Sequence, residues 1–198
     1  HSFPTRRSSD LSRGRFSIRP RNDRSCYGGD YPFIQIGSLD SKGSVINDFT
    51  QTLNEKGLKA SKQFPEGTIA IAIVGGTIGN LGVLGREMCF PDSIVGITPS
   101  SSYNHEYILN FLRYIQPTIR NAAYQMAGQP NIKIPTIENL TFPLPPLSEQ
   151  KRIVAEIEKQ IAKTKQLKEH IISNQQATEK LLKALLHQAF DVKEMEEV

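Results

Sequence analysis

Residues 141–150 read TFPLPPLSEQ, and this stretch divides the chain into two parts. Its three prolines lack an amide donor and clash with a preceding helical turn, so they predict a bend. Ser148 then offers an N-cap oxygen, and Glu149 places negative charge at the positive end of a helix. Neither glycine nor proline follows before Phe190. Residues 148–190 are therefore predicted to form one helix, about 60 Å long at about 1.5 Å per residue.

The predicted helix carries an apolar seam with the alternating three- and four-residue spacing of a coiled coil. The residues predicted to meet a partner helix are Val154, Ile157, Ile161, Ile171, Leu182 and Leu185. The middle of the seam is polar, at Lys168, Gln175 and Thr178, and polar core positions can fix register and partner. Packing on its own domain is the alternative. We favour a partner helix, because a helix this long overhangs any domain that the rest of the chain could build.

Upstream of the bend, short β-branched runs alternate with turn residues, which predicts strands. Residues 68–74 form the most apolar run and are predicted to be a buried central strand. Asn104 is predicted to cap a helix over 105–115, and Pro117 to start a second helix. The predicted fold class is α+β, a globular β-rich domain followed by a long C-terminal coiled-coil helix. The predicted limits are a leader at 1–11, the globular domain at 12–147, the helix at 148–190 and a tail at 191–198.

Positive charge is concentrated at the beginning of the chain. The net charge is +4, and residues 1–24 alone hold seven arginines against Asp10 and Asp23. Arginine pairs bidentately with phosphate, so this cluster fits a segment that contacts a nucleic-acid backbone. For residues 1–11, which show no periodicity, a disordered or foreign leader is preferred. The later arginines alternate with Phe16 and Ile18, which is typical of a strand with one wet face.

The composition argues against several other classes of protein. Cys26 and Cys89 form neither a disulfide framework nor a metal pattern, which favours reduced thiols in a cytoplasm. No apolar run approaches the roughly 18 residues of a membrane span. The four histidines are scattered, so neither catalytic nor metal-binding residues are predicted. The glycine-rich residues 75–85 lack the P-loop and dinucleotide-binding patterns and predict a tight turn, with nucleotide binding by an enzyme as the alternative.

Taken together, the motifs resemble the DNA-specificity subunit of Type I restriction–modification systems. The residues that carry the resemblance are 13–23 (RGRFSIRPRND), 27–35 (YGGDYPFIQ), 64–79 (FPEGTIAIAIVGGTIG), 128–132 (GQPNI) and 137–154 (IENLTFPLPPLSEQKRIV). Such subunits usually have two target-recognition domains and two long helices, whereas this chain has one of each. We therefore expect either a half-subunit that pairs with a second copy or a fragment of a full subunit.

The resemblance implies a non-catalytic subunit whose globular domain reads a half-site in double-stranded DNA. The long helix would pair antiparallel with a second such helix, from another copy or from the second half of a subunit, and would set the spacing of two half-sites. Methyltransferase (M) and restriction (R) subunits are implied as partners in a bacterial or archaeal cytoplasm. S-adenosylmethionine, ATP and Mg are expected on those partners and not on this chain, and the methyltransferase would flip the target adenine.

The resemblance does not identify the residues that read bases. Recognition needs polar or basic side chains that face a groove, with phosphate contacts to set the register. The DNA-side candidates are Arg13, Arg15, Arg19, Arg21, Asn22, Lys42 and Thr77. Gln35 and Ser38 are further polar candidates, for which strand-end hydrogen bonding is favoured. A solvated surface role is the alternative for each, and a coiled-coil scaffold whose globular domain binds protein is the rival function.

Overall fold

A computed structural model describes residues 11–98, 100–101, 103–124, 132, 137 and 143–191, without the side chains of the last residues of two helices, Tyr124 and Asp191. The elements in chain order are β1 (Leu11–Arg13), β2 (Tyr27–Phe33), β3 (Val45–Ile46), β4 (Gln51–Leu53), α1 (Glu55–Lys59), β5 (Gln63–Phe64), β6 (Ile69–Ala72), β7 (Leu81–Leu84), β8 (Met88–Cys89), β9 (Ile94–Ile97), α2 (His105–Tyr124) and α3 (Leu147–Asp191). Apart from Leu11 and Asp191, the predicted leader and tail lie outside the described residues.

The chain forms two compact units, and the boundary falls between Lys151 and Arg152, inside α3. The first residues of α3 therefore belong to the globular unit. The fold combines sheets with a long C-terminal helix, which confirms the α+β class. No helix among the described residues is both long enough and apolar enough to cross a bilayer.

In its described residues the globular unit contains two sheets besides the helices α1 and α2. The first has the strand order β1-β9-β6-β7-β3 and the second β4-β2-β8-β5. Strand β6 lies in the middle of the first sheet, antiparallel to both β7 and β9, and all four of its residues are buried. The prediction of a central strand at 68–74 is confirmed, because a run of Ile and Ala can be buried on both faces.

Small residues on β6 and β9 make room for a pair of aromatic rings. Phe64 and Phe90 stack with their centroids 4.0 Å apart and their planes 15° apart. They belong to the same buried cluster as Ala70 and Ala72. A Cβ atom on Gly96 would lie 2.9 Å from both rings, so glycine is required at this place. A second cluster joins Ile73 and Val95 to Ile119 and Ala123 of α2.

The prediction of two helices at 105–115 and from Pro117 onward is wrong, because α2 runs unbroken through the proline. Its start is as predicted, since the Asn104 side chain accepts a hydrogen bond from the Tyr107 amide at 2.9 Å. Pro117 removes one backbone hydrogen bond from the helix. Burial of Leu112 and Ile119 on either side of the proline favours continuation, and it outweighs this local loss.

The long helix also begins one residue earlier than predicted. The Pro146 carbonyl accepts the amides of Glu149 at 2.9 Å and of Gln150 at 3.0 Å, so the first helical residue is Leu147. Ser148 consequently lies in the first turn and is not the N-cap. Glu149 keeps its predicted place in the first turn, where its charge favours the helix dipole.

Candidate nucleic-acid interface

The arginines of the first segment project from the edge of the first sheet. Exposed and buried residues alternate here. Arg13 and Arg15 are exposed, whereas Gly14 and Phe16 are buried. The backbone is fixed by hydrogen bonds from the Gly14 amide to the Ile94 carbonyl and from the Arg15 amide to the Phe90 carbonyl. The predicted alternation is therefore present. The regular strand β1 ends at Arg13, however, and beyond it Phe16 pairs with Ser61 only as an isolated bridge.

Three of the predicted arginines converge on Asp92. Arg21 Nη2 lies 2.5 Å from Asp92 Oδ1, and Arg19 Nη2 lies 3.7 Å from Asp92 Oδ2. Arg13 Nε donates to the Asp92 backbone carbonyl at 2.5 Å. The side chains of Arg19 and Arg21 remain 55% and 49% exposed. We call Arg13, Arg19, Arg21 and Asp92 the arginine cluster. Its formal charge is +2, and it is open to an anion from solvent.

The other predicted DNA-side residues do not join this cluster. Arg15 donates instead to the Ser61 carbonyl, at 3.1 Å from Nε and 2.6 Å from Nη2. Lys42 lies in the loop before β3, where its carbonyl accepts from Arg113 Nε at 2.5 Å. Thr77 lies in a short 3-10 turn, Gly75–Thr77, between β6 and β7. Within the described part of the chain, no hydrogen bond or ion pair joins Lys42 or Thr77 to the arginine cluster.

The first part of the glycine-rich segment, residues 75–79, is a tight turn, as predicted, and Leu81–Leu84 continue as β7. Gly75 has φ +72° and Gly79 has φ +79°, which favours glycine at both positions. Two side chains of α2 hold the turn in place. Gln116 Nε2 donates to the Gly79 carbonyl at 2.7 Å, and Arg120 donates to the Ile78 carbonyl at 3.0 Å.

A concavity of about 430 Å³ adjoins the arginine cluster and shares Arg21 with it. We call it the polar concavity, and it is lined by Arg21, Asn22, Arg24, Tyr27, Gln35 and Gln51. In it, Gln35 Nε2 donates to Gln51 Oε1 at 2.7 Å. The structure thus brings the predicted Arg21 and Asn22 together with Gln35, and it adds residues that sequence reasoning did not select.

The loop that carries Arg21, Asn22 and Arg24 is held on both sides. Tyr27 Oη donates to the Arg21 carbonyl at 2.5 Å, and its ring packs 5.9 Å from that of Phe16. Burial raises the pKa of the Tyr27 phenol, so it stays a donor. Asp23 accepts from the amide and hydroxyl of Ser25, and the hydroxyl bond in particular lowers the pKa of the Asp23 carboxyl.

A third polar arrangement anchors the beginning of α3 within the globular unit. The side chain of Gln150 is buried, at 1% exposure. Its Oε1 accepts from the Asn104 amide at 2.7 Å, and its Nε2 donates to the Pro145 carbonyl at 2.8 Å. Tyr107 Oη donates to the Pro143 carbonyl at 2.9 Å. The proline bend is thereby tied to the first turn of α2.

Most of the predicted seam of α3 is exposed. Val154 is buried and Ile157 is half-buried. Ile161, Ile171, Leu182 and Leu185 are each between 50% and 59% exposed. Large apolar residues beside them add to the exposed face, namely Leu167, Ile172, Leu181, Leu186 and Phe190. Exposed apolar residues along one face, interrupted by the polar middle of the seam, are a feature of helices that pack against a partner.

The family model of the Type I restriction modification DNA specificity domain matches residues 16–175. A solved structure described as the structural basis of complex assembly and conformational transition of the type I R-M system is similar to this chain. Its TM-score is 0.63 at 22% identity, over 91% of this chain and 45% of that one. The HsdS subunit from Thermoanaerobacter tengcongensis gives a TM-score of 0.56 at 22% identity, over 79% of this chain and 38% of that one. The chain thus spans less than half the length of either structure.

Proposed function

This chain belongs to the family of Type I restriction–modification DNA-specificity domains, and we propose that it is the non-catalytic DNA-recognition subunit of such a complex. Its globular unit reads a half-site in double-stranded DNA. The observation that carries this proposal is the arginine cluster, with formal charge +2 and two half-exposed guanidinium groups, next to a concavity lined by amide and guanidinium side chains. Phosphate contacts of this kind give affinity, and polar groups beside them give specificity.

The partner subunits follow from the same proposal. The chain scaffolds methyltransferase and restriction subunits in the cytoplasm, and these partners hold S-adenosylmethionine, ATP and Mg. The chain itself supplies recognition and spacing. Among the described residues, no group of three His, Cys, Asp or Glu side chains is arranged to hold a metal ion.

The DNA proposal is tested by measuring the affinity of the full chain for a short duplex as a function of salt. The slope of log K against log salt is negative, and each lost phosphate contact makes it less steep by about 0.9. We expect Arg19→Ala to make the slope less steep by about that amount. Arg86→Ala is the matched control, because Arg86 is exposed and lies over the Phe49 ring, and no hydrogen bond or ion pair among the described residues joins it to the arginine cluster. No measurable affinity at low salt, or equal slopes for both variants and the parent chain, would contradict the proposal.

The second part of the proposal concerns α3, which pairs antiparallel with an equivalent helix of a second copy or of a second half-subunit. The exposed apolar seam supports this, since leaving such a face in water is unfavourable. In light scattering, Leu182→Asp is expected to shift the full chain toward a monomer. Ala184→Asp introduces the same charge about 200° around the helix and is expected to leave the mass unchanged. A monomeric parent chain would restrict pairing to a second half-subunit, and equal behaviour of both variants would refute pairing through the seam.

A further inference from the structure

The polar concavity contains the side chains that proteins use to read base edges. Two of its six lining residues are arginines, three carry amides and one is tyrosine, and none is a carboxylate. Its volume of about 430 Å³ falls in the range of roughly 300–1,000 Å³ for small-ligand sites. Because Arg21 belongs to both features, a DNA backbone bound at the arginine cluster would bring its neighbouring bases next to the concavity.

The amide pair inside the concavity has unused hydrogen-bonding capacity. Gln35 Nε2 donates one hydrogen to Gln51 Oε1, and an amide nitrogen carries two. Within the described part of the chain, neither side chain makes another hydrogen bond. Gln51 Nε2 therefore keeps its donors, and Gln35 Oε1 keeps its lone pairs. Adenine shows an acceptor, N7, and a donor, the N6 amino group, in the major groove, and amide side chains match this pattern.

The pair is held in place before any ligand binds. Gln51 opens β4, where it is paired with Phe33 of β2, and the bond to Gln35 restricts both side chains. The facing loop is fixed by Tyr27 and by the Asp23–Ser25 hydrogen bonds. Groups that are already ordered lose less conformational entropy on binding, so each hydrogen bond contributes more to discrimination.

We infer that Gln35 and Gln51 together form the adenine-reading element of this domain, beside phosphate contacts from Arg21 and Arg24. The inference rests on the proposed DNA-recognition function and names the base that this part of the domain reads. The arginines act on the sugar–phosphate backbone, which carries no sequence information, so the preference for a base comes from the amides.

The test is selection from a pool of randomised duplexes with the full chain and three variants. The parent chain is expected to enrich sequences with a fixed adenine. Gln51→Ala is expected to lose that preference by roughly 5- to 150-fold, the range of one bidentate contact. Gln51→Glu keeps an acceptor for Gln35 Nε2 but has no donor, and a carboxylate accepts from cytosine N4. It is expected to move the preference from adenine toward cytosine.

Gln63→Ala is the matched control, because Gln63 lies on β5, the edge strand opposite to β4 in the same sheet. It is expected to select the parent sequences. The salt dependence of binding is measured alongside and is expected to stay the same in the parent chain and the two alanine variants, since neither alanine variant removes a phosphate contact or a charge. Parent-like selection by Gln51→Ala, or a parent chain that binds duplexes without preference, would overturn the inference and leave the proposed DNA binding intact. A parent chain without affinity for any duplex would overturn both.

Discussion

The buried amide of Gln150 gives the sharpest prediction about stability. Replacing it in the variant Gln150→Leu keeps the approximate size of the side chain and removes both of its hydrogen bonds. The backbone N–H of Asn104 then loses its acceptor at 2.7 Å, and the backbone carbonyl of Pro145 loses its donor at 2.8 Å. Both groups face a side chain that is only 1% exposed, so water replaces the lost partners poorly.

An unsatisfied buried polar group costs about 1–3 kcal/mol. Two such groups cost about 2–6 kcal/mol. Burying a leucine in place of the amide returns about 1–2 kcal/mol, and partial hydration of the half-exposed Asn104 relieves part of the rest. We expect a net loss of about 2 kcal/mol in the free energy of unfolding of the globular unit. For a protein of this size that corresponds to a fall of about 4–8 °C in Tm.

The chain forms two compact units, and the lost hydrogen bonds lie in the globular one, so the assay must follow that unit alone. The chain has six tyrosines and no tryptophan, and all six tyrosines lie between residues 27 and 124. Tyrosine fluorescence during urea unfolding therefore reports the globular unit and not α3. Gln160→Leu is the control, because Gln160 is exposed and its side-chain amide donates to Glu156 in the same helix and not to the globular unit. Equal urea midpoints for the parent chain and Gln150→Leu would refute the reasoning.

Three further predictions concern charge, pH and packing. Asp92→Asn removes a negative charge from the arginine cluster. One charge about 7 Å from a phosphate is worth about 0.6 kcal/mol in water, so the affinity for duplex DNA at low salt should rise roughly threefold. A fall in affinity would mean that Asp92 positions the arginines. Burial lowers the pKa of His105 from 6.5, and neither imidazole nitrogen has a hydrogen-bond partner among the described residues. The unfolded chain therefore takes up the proton more readily, and the stability of the folded protein should decline as the pH falls below about 6.5. In urea titrations His105→Gln should flatten this decline. An unchanged pH profile would show that His105 is not its cause. Gly96→Ala should lower Tm, because the new Cβ would lie 2.9 Å from Phe64 and Phe90 and overpacking costs about 1–3 kcal/mol. Gly76→Ala is the control and should not lower Tm, because the space around its Cβ is open. Similar melting temperatures for the two variants would argue against a tight fit at Gly96.

Features set by nearby residues were accessible from the sequence. A helix without glycine or proline after a proline bend needs only local information, and α3 has nearly the predicted limits. Pro117 shows where local rules fail. Its position favours a helix start, but the buried residues on both sides are spaced for a single helical face, and tertiary packing outweighs the loss of one hydrogen bond.

The site was only partly accessible, because its contacts join distant parts of the chain. The alternation from Arg13 to Ile18 predicted outward-facing arginines. Nothing in that segment identifies Asp92 as their common partner, since the two meet only where β1 pairs with β9. The Gln35–Gln51 pair likewise depends on the pairing of β2 with β4. Strand pairing between distant segments is the step that a single sequence does not determine.

The small size of the arginine cluster explains why the long helix matters for recognition under the proposed function. Three phosphate contacts give a salt slope of about −2.7, so affinity falls about 40-fold between 50 and 200 mM salt. A single globular unit would then bind DNA weakly at physiological salt. Pairing through α3 makes the second contact intramolecular and can raise avidity by about 10²–10⁴. The 45 residues of α3 span about 68 Å, which equals about 20 base pairs at roughly 3.4 Å each. This length limits how far apart two units on antiparallel helices could hold their half-sites. The helix would thus supply affinity as well as spacing, and the seam variant Leu182→Asp should weaken DNA binding of a dimeric chain without altering the base that each unit prefers.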